Sequence, residues 1–158
     1  MNDLINLLIY TVDDIKMAIY LHSTKQAIRM VEITPLPYSS DVLLGLINYY
    51  GEIVPIVNMR KVLNRPQKEK DLNDQIIITR SEKRTLGLWV DRVIGLFEYK
   101  EKDIIEAEKY LNQNESIDNI LIGSIRLSDG LLLIHNIETL ISKKEEELLL
   151  QSIAQSKV

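Results

Sequence analysis

The strongest constraint on the fold is that the chain repeats itself. Leu43-Leu44-Gly45-Leu46-Ile47 returns as Leu121-Ile122-Gly123-Ser124-Ile125, 78 positions on, counted from Gly45 to Gly123. In the same register Ile53-Val54-Pro55-Ile56-Val57-Asn58 returns as Leu131-Leu132-Leu133-Ile134-His135-Asn136, and the helical segment Met59–Leu63 then matches Ile137–Ile141. A second register, of 69 positions, sets Ala18-Ile19-Tyr20-Leu21-His22 against Gly87-Leu88-Trp89-Val90-Asp91. The difference predicts a nine-residue insertion in the second copy, around Glu108–Ser116, where Asn112-Gln113-Asn114 reads as loop. Two ungapped registers in one chain argue for two copies of a single supersecondary unit.

Each copy consists of short aliphatic or β-branched runs between turn residues. Leu7–Val12, Met17–Leu21, Leu43–Tyr49 and Ile53–Val57 read as strands of the first, and Ile76–Thr79, Thr85–Val90, Val93–Phe97, Leu121–Arg126 and Leu131–His135 as strands of the second. Asp13-Asp14, Tyr50-Gly51, Ser81-Glu82-Lys83 and Ser128-Asp129-Gly130 supply the turns. Short strands at hairpin spacing predict an all-β fold with short helices, as small barrels or a sandwich, and not a parallel α/β sheet. Asn58 and Asn136 each precede a helical run and are predicted N-caps, worth ~1 kcal/mol against alanine. Pro55 has no ladder donor, which predicts an edge strand or a bulge at that point.

At 158 residues the chain fits one domain built of two subdomains, expected over 1–142, followed by a tail over 143–158. In that tail Lys143-Lys144-Glu145-Glu146-Glu147 leads into Leu148-Leu149-Leu150 and Ile153, which reads as an amphipathic helix packed on a barrel, as one docking a partner or second copy, or as a disordered tail. The absence of cysteine excludes disulfides and thiolate metal sites and is compatible with a reducing cytosol. No signal-like N-terminus and no run of about 18 apolar residues is present, so neither secretion nor membrane insertion is expected. The net charge of −4 speaks against nucleic acid as a partner. Arg60, Lys61, Arg65, Lys68 and Lys70 are diluted by Glu69 and Asp71 and read as a solvated helix end and loop.

Catalytic and cofactor motifs are lacking. His22 and His135 each end a strand without a metal-ligand neighbour, and both are expected to be partly exposed structural histidines. The six glycines are isolated, with no phosphate loop, dinucleotide fingerprint or nucleophile elbow. No cofactor, metal or enzymatic activity is therefore expected; a concave pocket gathering His22 or His135 with a carboxylate would favour an enzyme. Trp89 and the tyrosines suit either a base-stacking or proline-peptide groove or, better, a core. Trp89 has Tyr20 as its repeat partner, and both rings are expected to fill equivalent positions between the two barrels.

Together these residues resemble the CheW-like family of chemotaxis coupling proteins. The resemblance is strongest over Ile33-Thr34-Pro35-Leu36-Pro37 and Gly45-Leu46-Ile47-Asn48-Tyr49-Tyr50-Gly51-Glu52-Ile53-Val54-Pro55-Ile56-Val57-Asn58, where the family runs roughly I-T-x-L/I-P and G-V-x-N-L-R-G-x-I-x-P-V-V-D-L. Leu88-Trp89-Val90-Asp91-Arg92-Val93 is similar to the family's G-x-x-V-D-x-V, and the likeness extends over about Leu7–Ile141. It implies two intertwined, five-stranded, SH3-like β-barrels and a non-enzymatic cytoplasmic adaptor, reaching the membrane only through receptor arrays. Its implied partners are the regulatory domain of a CheA-type histidine kinase and the cytoplasmic tip of methyl-accepting chemoreceptors. The other reading is a stand-alone SH3-like peptide-binding module. Carried over residue by residue, the receptor-binding surface comprises Thr24, Gln26 and Ile28 with Gly45, Asn48, Tyr50 and Gly51. Gly45 is expected to let a partner helix approach the sheet, and no kinase-binding residue is assigned.

The chain departs from the family pattern at telling places. The family's Arg in N-L-R-G is Tyr50, its Glu in V-x-E-I/V aligns with Gln26, and its Asp after P-V-V is Asn58. Asn and Asp cap helices about equally, so the last change is conservative. The first two remove both halves of a charge pair together. That joint loss predicts a less charged partner surface, with Tyr50 as aromatic anchor, and favours a divergent signalling pathway.

Overall fold

The computed structural model describes residues 3–36, 40–106 and 120–156; the predicted insertion around 108–116 lies outside them. Two sheets carry the fold. The first holds β1 (Leu4–Val12), β2 (Ile15–Tyr20), β8 (Arg92–Lys100), β9 (Ile105–Glu106), β10 (Leu121–Leu127) and β11 (Gly130–His135), in the order β8-β1-β2-β11-β10-β9. The second holds β3 (Thr24–Arg29), β4 (Leu43–Tyr49), β5 (Glu52–Asn58), β6 (Gln75–Arg80) and β7 (Thr85–Val90), in the order β3-β6-β7-β5-β4. Helix α1 spans Met59–Val62 and helix α2 spans Lys143–Ser156.

The repeat registers hold in three dimensions, but the copies exchange strands. β5 runs parallel to β7, with Ile56 opposite Gly87, and β11 runs parallel to β2, with Ile134 opposite Ala18. Each sheet therefore mixes elements of both copies, which makes the two units intertwined. The hairpins match in detail. The β4–β5 ladder slips between Leu43 and Gly45, and the β10–β11 ladder slips between Leu121 and Gly123. Both glycines are crossed by another backbone: a Cβ on Gly45 would sit 2.2 Å from the Thr34 carbonyl oxygen, and one on Gly123 would sit 2.6 Å from that of Ile105.

In place of closed five-stranded barrels, the described residues form two curled open sheets. No main-chain ladder joins β3 to β4 or β8 to β9. Pro55 lies on an interior strand and pairs with Leu46; its missing donor is tolerated because the β7 ladder begins only at Ile56. Strands β3 and β9 escaped the hydrophobic pattern, β3 because TKQAIR is mostly exposed and β9 because it has two residues.

The core has three parts, set by side-chain alternation. Ala18 on β2, Leu7 and Ile9 on β1, and Ile125, Leu132 and Ile134 fill the first sheet's own curl, with Tyr20 packed against them. Ile33, Ile47, Val54, Ile56, Ile76, Ile78 and Trp89 fill the second. Between the sheets lies a larger layer that includes Leu8, Tyr10, Met17, Ile19, Ile77, Leu86, Leu88 and Val90. The central strands thus bury both faces, which is why they read as unbroken apolar runs. Tyr20 and Trp89 are equivalent, as the registers require, but each lies inside its own sheet and not between the two units. Trp89 donates its indole N–H to Asp74 at 2.9 Å. Burial works against the Asp74 charge, yet bonds from Lys68, the Asp71 N–H and Trp89 hold its carboxyl below the usual range.

Asn58 caps α1, accepting from the N–H of Arg60 and Lys61. Asn136 accepts from the Glu138 N–H at 2.8 Å, but 137–141 is a turn and not the helix expected there. Ser142 and Glu145 bond each other's N–H at 3.1 and 2.9 Å, a capping box that starts α2. Leu149 on α2 is fully buried in the inter-sheet layer, and Glu145 and Glu146 tie the helix to Ser40 and Arg84.

Candidate functional site

Tyr49 faces Glu52 across the β4–β5 ladder, leaving Tyr50 and Gly51 as a two-residue turn with φ of 51° and 87°. Two positive φ values define the type I′ turn, whose twist suits a hairpin. Gly51 adopts this freely, and its N–H donates to Asn48 Oδ1 at 2.8 Å. Tyr50 does not: a bulky side chain in the left-handed region costs on the order of 1 kcal/mol. Its ring is nevertheless 88% exposed and stands edge-on to Tyr49, with centroids 4.8 Å apart.

The curl of the second sheet brings β3 to this hairpin. The Tyr49 hydroxyl donates to Gln26 Oε1, and Lys25 lies 3.9 Å from Glu52, so side chains bridge the edges that no ladder joins. Of the expected surface, Gln26, Asn48, Tyr50 and Gly51 are exposed, while Thr24 and Ile28 are half-buried. Thr24 donates to the Tyr20 carbonyl at 3.3 Å, and Ile28 packs on the sheet's own core. Gly45 does not join them. It is buried, and the backbone that approaches it belongs to Thr34 of the same chain.

Lys61, Lys68 and Lys70 are exposed, as a solvated helix end and loop require, but Arg60 is not. Arg60 is 6% exposed, and its Nη2 meets both Asp91 carboxylate oxygens at 2.9 and 2.8 Å. Its Nη1 donates to Asp13 Oδ1 at 2.9 Å and to the Pro66 carbonyl at 3.0 Å. The clamp ties α1 to the β1–β2 turn and the β7–β8 corner, at the seam of the two sheets. The Arg60 bond holds the Asp13 carboxyl below the usual range. Lys61, Arg65 and Lys68 also pair with acids, at Asp41, Asp13 and Asp14, and Asp74 respectively, which leaves little field for phosphate. No sequence motif marks the clamp, because Arg60 and its acids meet only through the fold.

The histidines separate. His22 is exposed and stacks on Tyr20, with ring centroids 5.3 Å apart. His135, expected at a partly exposed strand end, is 1% exposed, because β11 is an interior strand and its last residue turns into the inter-sheet layer. Its Nε2 lies 2.7 Å from the Tyr10 hydroxyl, and burial lowers its pKa to about 4. A cleft of about 320 Å³ does gather both histidines with Glu82 and Glu138. His135 is neutral there at pH 7 and bonded to Tyr10, and both Glu138 carboxylate oxygens accept from the Glu82 N–H. Among the described residues no group of three or more histidine or acidic side chains is placed to hold a metal, and no helix is long and apolar enough to cross a membrane.

Comparison with known proteins agrees with the fold. The CheW-like domain matches residues 6–145. A chemotaxis protein CheW of Thermotoga maritima is 30% identical over 95 residues, a stretch covering 60% of this chain and 62% of that protein. The chemotaxis protein CheW of Helicobacter pylori is 20% identical over 85% of this chain and 79% of its own length. Among solved structures, the scaffolding protein TtCheW of Thermoanaerobacter tengcongensis superposes with a TM-score of 0.78, covering 90% of this chain and 94% of its own at 19% identity, a likeness of fold.

Proposed function

The chain belongs to the CheW-like domain family, and from that premise we propose that it is a non-enzymatic cytoplasmic adaptor coupling chemoreceptor tips to a CheA-type histidine kinase. The observation that carries this reading at residue level is Tyr50, an aromatic ring held in solvent by a strained turn beside Gln26. The receptor-facing surface is Thr24, Gln26, Asn48, Tyr50 and Gly51, with Ile28 beneath them and Gly45 setting the hairpin's path. With Tyr50 and Gln26 in place of a charge pair, this surface favours a receptor tip with an apolar contact point and suits a divergent pathway. Individual contacts of this kind are weak, and an array multiplies them through effective concentration.

The test is a titration of the folded chain with the regulatory domain of a CheA-type kinase and with a chemoreceptor tip. Saturable binding of both supports the adaptor. A folded sample that binds neither, yet takes up proline-rich peptide, returns the reading to a stand-alone SH3-like module.

A further inference from the structure

The Arg60 clamp has an internal counterpart. Under the two repeat registers Asp13 corresponds to Glu82, Arg60 to Glu138 and Asp91 to His22. Two local hydrogen bonds are reproduced, although α1 has only a turn as its counterpart. Asn58 Oδ1 accepts from the Arg60 N–H at 3.1 Å, and Asn136 Oδ1 accepts from the Glu138 N–H at 2.8 Å. The turn N–H is bonded to a carboxylate on both sides, from Asp13 to Asp91 at 2.7 Å and from Glu82 to Glu138 at 2.9 and 3.1 Å.

Filling and charge differ. In the first copy a guanidinium is buried between two aspartates. In the second, a glutamate stands at the arginine's position, and the space is the cleft of about 320 Å³ described above. Glu82 and Glu138 line it, and none of its lining residues is a lysine or arginine. The His22 ring, nearly parallel to Tyr20 at 13°, gives it a flat wall, and Ile19, Ile122 and Ile137 give it an apolar one.

We propose that this cleft binds a guanidinium on an aliphatic stem, an arginine side chain of a partner protein, which occupies in trans the place that Arg60 fills in cis. Carboxylates supply acceptors for the planar fork, the stacked rings suit its face, and the isoleucines suit the stem. No residue of the Tyr50 hairpin lines the cleft; Ser23, which does, precedes Thr24 of the proposed receptor-facing surface.

The probe is N-acetyl-arginine amide titrated into the full chain, followed by backbone NMR, with N-acetyl-citrulline amide as the neutral isostere. Saturable shifts at His22, Glu82 and Glu138 are expected with the arginine derivative and not with citrulline. Glu138→Gln weakens binding by about tenfold, the equivalent of one charge-assisted bond. Equal binding of citrulline, or undiminished binding by folded Glu138→Gln, overturns the proposal. Free L-arginine binding more than about tenfold tighter than the blocked derivative marks an amino-acid site and overturns the partner assignment. Combining His22→Asp with Glu138→Arg rebuilds the clamp in cis. That variant is expected to melt at a higher temperature and to lose the probe, and full retention of probe binding counts against the proposal.

Discussion

The Tyr10 hydroxyl and His135 Nε2 meet 2.7 Å apart in the layer between the two sheets. Their repeat counterparts are Thr79 and Val57, so the pair breaks the internal symmetry at its centre. Burial pushes the Tyr10 phenol well above its usual range and lowers His135 to about 4, so both are neutral at pH 7.

A pH dependence follows, with its sign. Unfolded His135 titrates near 6.5, so above that pH neither state is protonated and stability is flat at this site. Between 6.5 and about 4 the unfolded chain binds a proton that the folded chain refuses, and stability falls by up to roughly 3 kcal/mol. Urea midpoints should drop across this window in the native chain. His135→Val is expected to be weaker at pH 7, by about 1–3 kcal/mol for the stranded hydroxyl, but to show a flatter profile. An equally steep profile in the variant would assign the acid loss to other groups.

Arg60→Ala leaves Asp91 without its cation and Asp13 with only the half-buried Arg65, 3.4 Å away. Truncating one partner of a buried ion pair typically costs about 3 kcal/mol or more, so the urea midpoint should fall accordingly. Arg60→Lys recovers little, because an ammonium cannot meet both Asp91 oxygens while also holding Asp13. Full recovery by lysine would show that charge alone, and not the fork, holds the seam.

Tyr50→Asn separates folding from recognition. Asparagine tolerates the left-handed region, so the variant should be at least as stable as the native chain, by up to about 1 kcal/mol. Binding to the receptor tip should weaken several-fold. A variant that is more stable and binds unchanged would remove Tyr50 from the proposed contact surface.

Gly45→Ala and Gly123→Ala should each be destabilising by on the order of 2 kcal/mol, since the added Cβ meets a backbone carbonyl that cannot swing aside. Chemical denaturation of the two variants is the measurement. A Gly45→Ala protein of native stability with impaired receptor binding would restore the docking role first expected of this glycine.

Much of this architecture was legible in the chain. Strands β1, β2, β4–β8, β10 and β11 and their turns follow from apolar runs and turn residues, and the caps at Asn58 and Asn136 from position alone. The Ser142-x-x-Glu145 spacing is a capping-box signal that reading the tail as a charge run passed over. The candidate surface depended on the family resemblance, and Tyr49, which bridges to Gln26, carries no signal of its own. Its role exists only because the sheet curls until its two edges meet.

The sequence by itself determined the units: which segments extend, where they turn, and that they occur twice. These are local or periodic properties, written in neighbouring side chains. Only the tertiary structure decided how the copies join, with β5 beside β7 and β11 beside β2. A strand's alternation specifies its faces and not the strand that will cover them. Hence the exchange that placed Trp89 within one sheet, His135 between the two, and Arg60 between Asp13 and Asp91 had to come from the packing of the whole chain.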